Sequence, residues 1–233
     1  MRLLWNGLTD ACQLLLDRDP LVLHAAWRSL WISATAVALA ALLGIAAGSL
    51  LARRRFFARG LLVLLFRAGM GLPTVLIGLV GYALLSRRGP LGTLELLYSP
   101  WAIVLGEICL AVPIIATWTH GAIGNLDPRV AETVRTLGAG TLRRWRTYLS
   151  ETRLSLLLAL LTAFARCISE LGIALILGGN IPHRTQTLTT ATATATARGD
   201  FARGVAMSLI LLSIAVLVTL SIARLSRHQE PPA

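Results

Sequence analysis

The sequence of 233 residues contains no lysine, and all 22 of its basic residues are arginine. A phosphate-binding P-loop needs a lysine that reaches the phosphates, a protein-kinase site needs a lysine on a strand, and Schiff-base catalysis needs a side-chain amine. The chain therefore cannot hydrolyse ATP by either common nucleotide-binding design, and lysine-dependent covalent catalysis is excluded as well.

Charged residues are scarce, at 14% of the sequence, whereas an ordinary soluble domain carries about 25%. Hydrophobic residues make up 55%, so a soluble globular protein does not fit. The net charge of +11 could indicate a nucleic-acid partner. The arginines cluster between long uncharged stretches, however, and we therefore expect a protein of the lipid bilayer that binds no nucleic acid.

Groups that support catalysis or metal binding are few. Cys12, Cys109 and Cys167 are too widely spaced for a zinc site or a disulfide framework. The four histidines are scattered, without acidic residues at the spacing of metal ligands. No nucleophile with a neighbouring base is evident. We therefore expect no metal, no cofactor in this chain, no catalytic residue and no enzymatic activity.

Long apolar runs dominate the sequence instead. A helix needs about 20 apolar residues to cross roughly 30 Å of hydrocarbon. The predicted membrane helices are residues 29–52, 60–86, 96–119, 154–179 and 204–223. The pattern predicts an all-α membrane protein with a single transmembrane domain over residues 29–223.

Arginine density predicts the orientation, because cytoplasmic loops carry an excess of basic residues. With the N-terminus outside, the cytoplasmic segments 53–60, 120–153 and 224–233 hold twelve arginines in 52 residues. The outside segments then hold eight in 65 residues. We therefore predict an extracytoplasmic N-terminal segment, residues 1–28, and a cytoplasmic tail, residues 224–233.

Three local patterns modify these helices. Pro73 and Pro113 lie within predicted spans and should kink or interrupt them. Small residues four apart in the first span, including Gly44 and Gly48, allow close approach of another helix, and packing within the bundle is favoured over a dimer seam. Residues 187–197 alternate threonine and alanine, and we predict a polar loop with some helix there.

The longest cytoplasmic segment, residues 120–153, contains two amphipathic stretches. Asp127 can accept hydrogen bonds from the free N–H groups of a helix start, and Pro128 suits the first helical position. The glycines around Gly138 end this helix, and Thr141 can cap a second one. Two interpretations stay open on this pattern: an element that lies on anionic lipid, or a projection that docks into a soluble partner.

Ionisable residues within the predicted spans indicate function, because a charged side chain there costs about 2.5–3.5 kcal/mol. Arg166 and Glu170 share a helix face and can pair, either as a structural clasp or as part of a pathway. Arg67 has no acidic neighbour on its helix, so it either extends to the interface or contacts an anion in the pathway. Glu107 is a partner for one of these arginines or a polar packing group.

Residues 132–138, with the sequence ETVRTLG, resemble the Glu-Ala-Ala-x-x-x-Gly loop in the membrane subunits of ABC importers. Glu132 and Gly138 match the ends of that motif, and Thr133 and Val134 stand where the family has two alanines. In that family the loop forms coupling helices that enter a cleft of the ATPase subunit. The resemblance therefore assigns ATPase coupling to Glu132, Thr133, Val134, Leu137, Gly138 and Ala139.

The resemblance covers most of the chain and is strongest to the tungstate and molybdate branch of the binding-protein-dependent type I family. It rests on residues 70–75 (MGLPTV), 85–92 (LSRRGPLG), 113–115 (PII), 164–172 (FARCISELG), 178–181 (GGNI) and 184–188 (RTQTL). One departure is Ser150 after Leu149, where the family often has a Leu-Pro pair. The resemblance implies the type I ABC importer permease fold, with five transmembrane helices, in the cytoplasmic (inner) membrane.

The resemblance also implies partners and a function. The expected partners are two copies of an ABC ATPase subunit, an extracytoplasmic oxyanion-binding protein and a second copy of this chain, which would make a homodimer. The expected function is ATP-driven import of an oxyanion, with tungstate favoured and molybdate or sulfate as alternatives. Two other functions fit the sequence less well. A membrane-embedded enzyme would need a catalytic cluster, which is not evident, and a passive channel would not need the helix–glycine–helix segment.

Overall fold

The computed structural model describes residues 16–17 and 19–227, and every regular element in this part of the chain is helical. The α-helices are α1 (Pro20–Arg53), α2 (Arg59–Gly69), α3 (Thr74–Leu85), α4 (Pro100–Gly124), α5 (Pro128–Thr136), α6 (Thr141–Glu151), α7 (Arg153–Ile168), α8 (Gly172–Gly178), α9 (Leu188–Ala197) and α10 (Phe201–Arg227). A 3₁₀ turn, Gly92–Leu94, lies between α3 and α4. Most of the predicted N-terminal segment and the end of the predicted tail lie outside the described residues.

Helix α1 begins at Pro20 and not at the predicted residue 29. The Leu21 N–H donates to the Asp19 carboxylate at 2.8 Å, and Pro20 takes the first helical position, which together form a favourable helix start. Arg28 ended the apolar run in the sequence, yet it is buried within the helix and its Nε donates to the Gln186 carbonyl at 2.8 Å. The predicted boundary was wrong because a distant loop satisfies this charge.

The second predicted span, residues 60–86, is not one continuous helix. Helices α2 and α3 meet at 103° across residues 70–73. Pro73 lacks an N–H and cannot continue α2, while its carbonyl accepts hydrogen bonds from Leu76 and Ile77 in the first turn of α3. The predicted interruption at Pro73 is therefore confirmed.

The fourth predicted span, residues 154–179, is broken as well, since α7 and α8 meet at 60°. No proline marks this break in the sequence, and it was not predicted. The Glu170 carboxylate accepts hydrogen bonds from the N–H groups of Gly172 at 2.9 Å and Ile173 at 3.3 Å. A side chain thus satisfies the donors that the start of α8 leaves without helical partners.

Three further predictions need correction. Helix α4 spans Pro100–Gly124 where residues 96–119 were predicted, and α10 spans Phe201–Arg227 where 204–223 were predicted. Helix α4 continues through Pro113, so no interruption occurs there.

The alternating threonines and alanines form the continuous helix α9, where a loop with some helix was expected. A reciprocal pair of hydrogen bonds between Thr187 and Thr190 caps its start. Inside the helix, the hydroxyls of Thr192 and Thr194 donate to the carbonyls four residues earlier. The hydroxyls are thus satisfied without leaving the helix, and the period of two in the sequence has no structural counterpart.

Helix α4 is the centre of the bundle and contacts α1, α2, α3, α7 and α8. Helix α1 approaches it most closely at two glycines. A Cβ at Gly44 would lie 2.8 Å from the Ile115 Cβ, and one at Gly48 would lie 2.5 Å from the Ala116 carbonyl oxygen. The predicted packing of the small residues within the bundle is therefore confirmed.

Among the described residues, three helices, α1, α4 and α10, are long and apolar enough to cross a membrane. The pairs α2–α3 and α7–α8 reach this length only when each bent pair is taken as one span, which gives up to five spans. Fewer than a fifth of the residues in the most apolar stretch of α10 are buried, against 61% in α4. The outer helix therefore exposes an apolar surface, as expected for contact with lipid or another subunit.

We predict that Gly48→Ala lowers the stability of the chain by about 1–3 kcal/mol, because the added methyl group would overlap the backbone of α4. Gly121→Ala is the matched control, since a Cβ at that helical position meets nothing within 4 Å. The measurement is the thermal unfolding midpoint of the purified protein in detergent. Equal midpoints for the two variants would contradict the close packing of α1 on α4.

Candidate functional site

Residues 127–151 form a helix–elbow–helix segment between the central helix α4 and α7. Its first helix, α5, starts as predicted: the Arg129 N–H donates to the Asp127 carboxylate at 2.9 Å, and Pro128 is the first helical residue. The second helix, α6, ends at Glu151 and is followed almost at once by α7, which begins at Arg153. The segment is therefore tied at both ends to helices of the bundle.

The elbow after α5 is a Schellman motif centred on Gly138, whose φ is +64°. The Gly138 N–H donates to the Arg135 carbonyl at 3.0 Å, and the Ala139 N–H donates to the Val134 carbonyl at 3.2 Å. Glycine suits this left-handed position because it has no Cβ. The Arg144 Nε donates to the Ala139 carbonyl at 2.8 Å, so α6 is attached to the same turn.

The six predicted coupling residues face two ways. Val134 and Ala139 are buried, while the other four, Glu132, Thr133, Leu137 and Gly138, are exposed. Leu137 is 77% exposed and Leu142, just past the elbow, is 61% exposed. We call the exposed side formed by Glu132, Thr133, Leu137, Gly138 and Leu142 the elbow surface. It presents two large apolar side chains beside a polar rim.

Two details of this segment differ from the prediction. The spacing of Val134 and Leu137 in the sequence is compatible with one apolar helix face, yet Val134 is buried and Leu137 is exposed. Thr141 was expected to cap α6, but Gly140 is the N-cap residue and Thr141 is the first helical residue. The exposed leucines are compatible with both interpretations of this segment, contact with lipid or docking into a soluble partner.

Arg166 and Glu170 form an ion pair at the break between α7 and α8. The Arg166 Nη1 donates to the Glu170 Oε2 at 2.7 Å. The Glu170 side chain is 2% exposed and the Arg166 side chain 39% exposed. Because the other oxygen of Glu170 accepts two backbone N–H groups, this carboxylate fixes the geometry of the break.

Glu107 lies in α4, buried next to this break. Ser33 of α1 lies beside its carboxylate, and its Oε2 has no hydrogen-bond partner among the described residues. No ion pair in the described part of the chain joins Glu107 to Arg67 or Arg166. Of the two roles left open for Glu107, the geometry favours that of a polar group in helix packing.

Arg67 lies apart from the other predicted pathway residues. It is exposed on α2, beside Ala116 and His120 of α4. Ala116 is nine residues past Glu107 in the same helix, which at 1.5 Å per residue is a separation of about 14 Å along the axis. The structure thus brings Arg166 and Glu170 together and leaves Arg67 near a different turn of α4.

Several polar contacts of this region were missed at the level of sequence. The Thr189 hydroxyl donates to the Glu170 carbonyl at 2.8 Å, which connects α9 to the α7–α8 break. The Ser29 hydroxyl accepts the Leu188 N–H at 2.8 Å. Buried polar groups normally form hydrogen bonds. The run of threonines was therefore a signal that backbone carbonyls without helical partners, such as that of Glu170 at the α7–α8 break, lay nearby.

Histidine, cysteine and acidic side chains are the usual metal ligands in proteins. In the described residues, no group of three or more His, Cys, Asp and Glu side chains could hold a metal ion. Cys109 and Cys167 are free thiols. A cavity of about 750 Å³ lies between the C-terminal end of α1 and the helices α5 and α6.

The sequence matches a known family, described as binding-protein-dependent transport system inner membrane component, over residues 40–231. The chain belongs to this family. The match begins within α1 and includes the helix–elbow–helix segment, both broken helices and α10. The permease is also similar to proteins named for tungstate and for molybdenum transport, so the resemblance to the tungstate and molybdate branch is confirmed.

Individual relatives cover nearly the whole permease. The tungstate uptake system permease protein TupB of Peptoclostridium acidaminophilum is 33% identical over 218 residues, covering 94% of this chain and 96% of that protein. A probable anion ABC transporter permease protein of Haloferax volcanii is 35% identical over 193 residues, covering 81% and 83%. A solved inward-facing structure of the MetNI methionine ABC transporter has a TM-score of 0.73 at 18% identity, covering 91% of this chain and 98% of that one. This last likeness shows the fold.

We predict that Arg166 and Glu170 are energetically coupled. A double-mutant cycle of Arg166→Gln and Glu170→Gln should give a coupling energy of about 1–2 kcal/mol, less than a fully buried pair because Arg166 is partly exposed. The unfolding free energies are measured on the purified permease. Asp200 and Arg203, whose side chains are both at least a third exposed, provide a control cycle with a smaller expected value. A coupling energy near zero for the first pair would contradict its role in fixing the break.

Proposed function

We propose that this permease is the membrane-spanning subunit of an ATP-driven importer and that tungstate is its substrate. The main support for this proposal is the elbow surface. A chain without an ATP-binding lysine needs a separate energy-supplying subunit, and the elbow surface is an exposed place where such a subunit could dock. The similarity to a TupB protein and to an anion permease supports an oxyanion as substrate. Molybdate and sulfate are the alternatives, since they have the same charge and nearly the same shape as tungstate.

The proposed topology has five spans, with each bent helix pair crossing the membrane once. The N-terminus then lies outside and the C-terminus in the cytoplasm. Arg53, Arg54 and Arg55, directly after the apolar part of α1, support this orientation together with the six arginines of residues 120–153. The elbow surface would face the cytoplasm, where ATP is available.

The proposed assembly contains two copies of the permease, two ATPase subunits and one extracytoplasmic binding protein. The translocation pathway would lie between the two permease copies. Exposed apolar side chains on both arms of the α2–α3 bend support a face that is covered in the membrane; they are Leu61, Leu64, Leu65, Val75, Leu79 and Val80. The substrate would pass from the binding protein into the pathway and would meet a weakly binding surface there.

Contacts of the elbow with the bundle suggest how ATP hydrolysis would be coupled to transport. When ATP closes the two ATPase subunits, the elbow surface would move with them. Tyr148 of α6 lies against the guanidinium of Arg53 at the end of α1, 4.9 Å from the ring centre, and α6 leads directly into α7. Movement of the elbow would therefore reach both the central pair α1–α4 and the broken helix α7–α8, and would change which side the pathway opens to.

The charged residues divide into two proposed roles. Arg166 and Glu170 act as a clasp that holds the α7–α8 break, because both carboxylate oxygens of Glu170 are engaged. Arg67 is the better candidate for contact with the anion. Its guanidinium is exposed and has no ion-pair partner in the described part of the chain. Guanidinium groups can donate paired hydrogen bonds to a tetrahedral oxyanion.

We expect proteoliposomes that contain the permease, its ATPase and its binding protein to accumulate labelled tungstate only when ATP is supplied to the ATPase. The control omits the ATPase subunit and should show no accumulation above leakage. Unlabelled molybdate and sulfate, added in excess, report the substrate by competition. Accumulation of tungstate without the ATPase would contradict an ATP-driven importer, and stronger competition by molybdate or sulfate would change the assigned substrate.

We predict that Glu132→Arg and Gly138→Asp each uncouple ATP hydrolysis from transport. The first reverses a charge on the elbow surface, and the second places a side chain at a positive φ that disfavours it. Uptake per ATP hydrolysed should fall at least about tenfold, equivalent to about 1.4 kcal/mol of lost coupling. Glu151→Arg, an equally exposed charge reversal at the end of α6, is the matched control. Normal uptake in both elbow variants would refute the docking role.

A further inference from the structure

The cavity of about 750 Å³ beside the elbow is strongly cationic. Arg53 and Arg54 line it from the end of α1, and Arg135 and Arg144 line it from the elbow side. Among the described residues that line it, Asp127 supplies the one carboxylate, so four positive charges and one negative charge leave a net charge of +3. The volume is in the range of about 300–1,000 Å³ found for small-molecule sites.

None of the four guanidinium groups forms an ion pair in the described part of the chain. The ion pairs of the described residues involve Arg166 and Arg203, which both lie elsewhere. The Asp127 carboxylate accepts the Arg129 N–H at the start of α5. Arg54 and Arg135 are exposed and Arg53 and Arg144 are partly buried. Like charges that share one cavity repel each other, and an anion bound between them would reduce this repulsion.

Two features make the cavity a formed site and not merely a charged gap. The Arg53 guanidinium is stacked 4.9 Å from the centre of the Tyr148 ring, and the Arg144 Nε is held by the Ala139 carbonyl at 2.8 Å, so both arginines are positioned before a ligand arrives. The Ser49 hydroxyl lines the same cavity, is buried and has no hydrogen-bond partner among the described residues. It is available to donate to an anion.

The wall of the cavity changes from apolar to cationic along α1. Ala46 and Leu50 belong to the apolar part of the helix, and Arg53 follows one turn later. Ile123 and Leu142 extend the apolar part of the wall. A molecule that fits both parts carries an anionic group next to hydrocarbon.

We propose that this cavity binds a phosphate-type tetrahedral anion and that the headgroup of an anionic phospholipid is its source. The phosphate would contact the guanidinium groups, and the lipid chains would follow Ala46 and Leu50 toward the bilayer. A free oxyanion offers the same charge but leaves the apolar wall uncovered. A lipid bound here bridges α1 and the elbow, and so would make the position of the elbow surface depend on membrane composition. The inference does not depend on the direction of transport.

The test is native mass spectrometry of the full-length permease, released from vesicles that contain equal amounts of phosphatidylglycerol and phosphatidylcholine. The wild-type chain should retain phosphatidylglycerol preferentially. In Arg53→Gln/Arg144→Gln the ratio of retained phosphatidylglycerol to phosphatidylcholine should fall about tenfold. Arg87→Gln/Arg88→Gln is the matched control, since both residues are exposed and lie outside the cavity, and its ratio should stay at the wild-type value.

A second variant guards against misfolding, because Arg53 and Arg144 also contact Tyr148 and the elbow. Arg54→Gln/Arg135→Gln removes two exposed guanidinium groups of the cavity wall and should lower the same ratio severalfold. Inorganic phosphate at millimolar concentration is then added as a competitor. If phosphatidylglycerol stays bound, the lipid is the source of the anion. If phosphate displaces it, the same anion site takes a soluble ligand. The proposal is overturned if both lipids are retained equally, or if the cavity variants and the control variant behave alike.

Discussion

The close packing of α1 on α4 is the contact on which the rest of this structure depends. Two glycines, Gly44 and Gly48, bring the backbones together at distances that no larger residue allows. Helix α4 then has its remaining sides free to contact α2, α3, α7 and α8. Because α5 follows directly after α4, the same packing also sets where the helix–elbow–helix segment leaves the bundle. The position of the elbow at Gly138 is therefore anchored in helix packing at Ile115, which lies 23 residues earlier in the chain.

The two broken helices show how a bundle in an apolar environment tolerates a break. Backbone groups without water must be satisfied by the protein itself. At the α2–α3 bend a proline removes one donor, and at the α7–α8 break Glu170 accepts two donors while Thr189 donates to the free carbonyl. Arg166 neutralises the charge that this arrangement introduces. The buried charge of Glu170 is thus explained by the geometry of the backbone, whereas the exposed Arg67 forms no ion pair in the described part of the chain.

Sequence reasoning succeeded where the signal is local. Asp127 and Pro128 marked the start of α5, and Gly138 marked its end, because capping depends on residues within one turn. It failed where distant residues decide. Arg28 is tolerated inside α1 because the Gln186 carbonyl accepts its N–H. At the α7–α8 break the local Glu170 carboxylate accepts two N–H groups, and the distant Thr189 of α9 donates to the Glu170 carbonyl. The apolar period of α5 likewise does not reveal whether the partner of Leu137 belongs to the same chain.

The central claim is that the elbow surface receives an energy-supplying subunit on the cytoplasmic side. The most direct measurement uses Leu137→Cys in a chain whose three native cysteines are replaced by alanine, within the assembled transporter. A membrane-impermeant maleimide should label position 137 only from the cytoplasmic side, and bound ATPase should protect it. Leu91→Cys, exposed in the loop after α3, should be labelled from the outside and remain unprotected. Labelling of position 137 from the outside, or labelling that the ATPase leaves unchanged, would contradict the account.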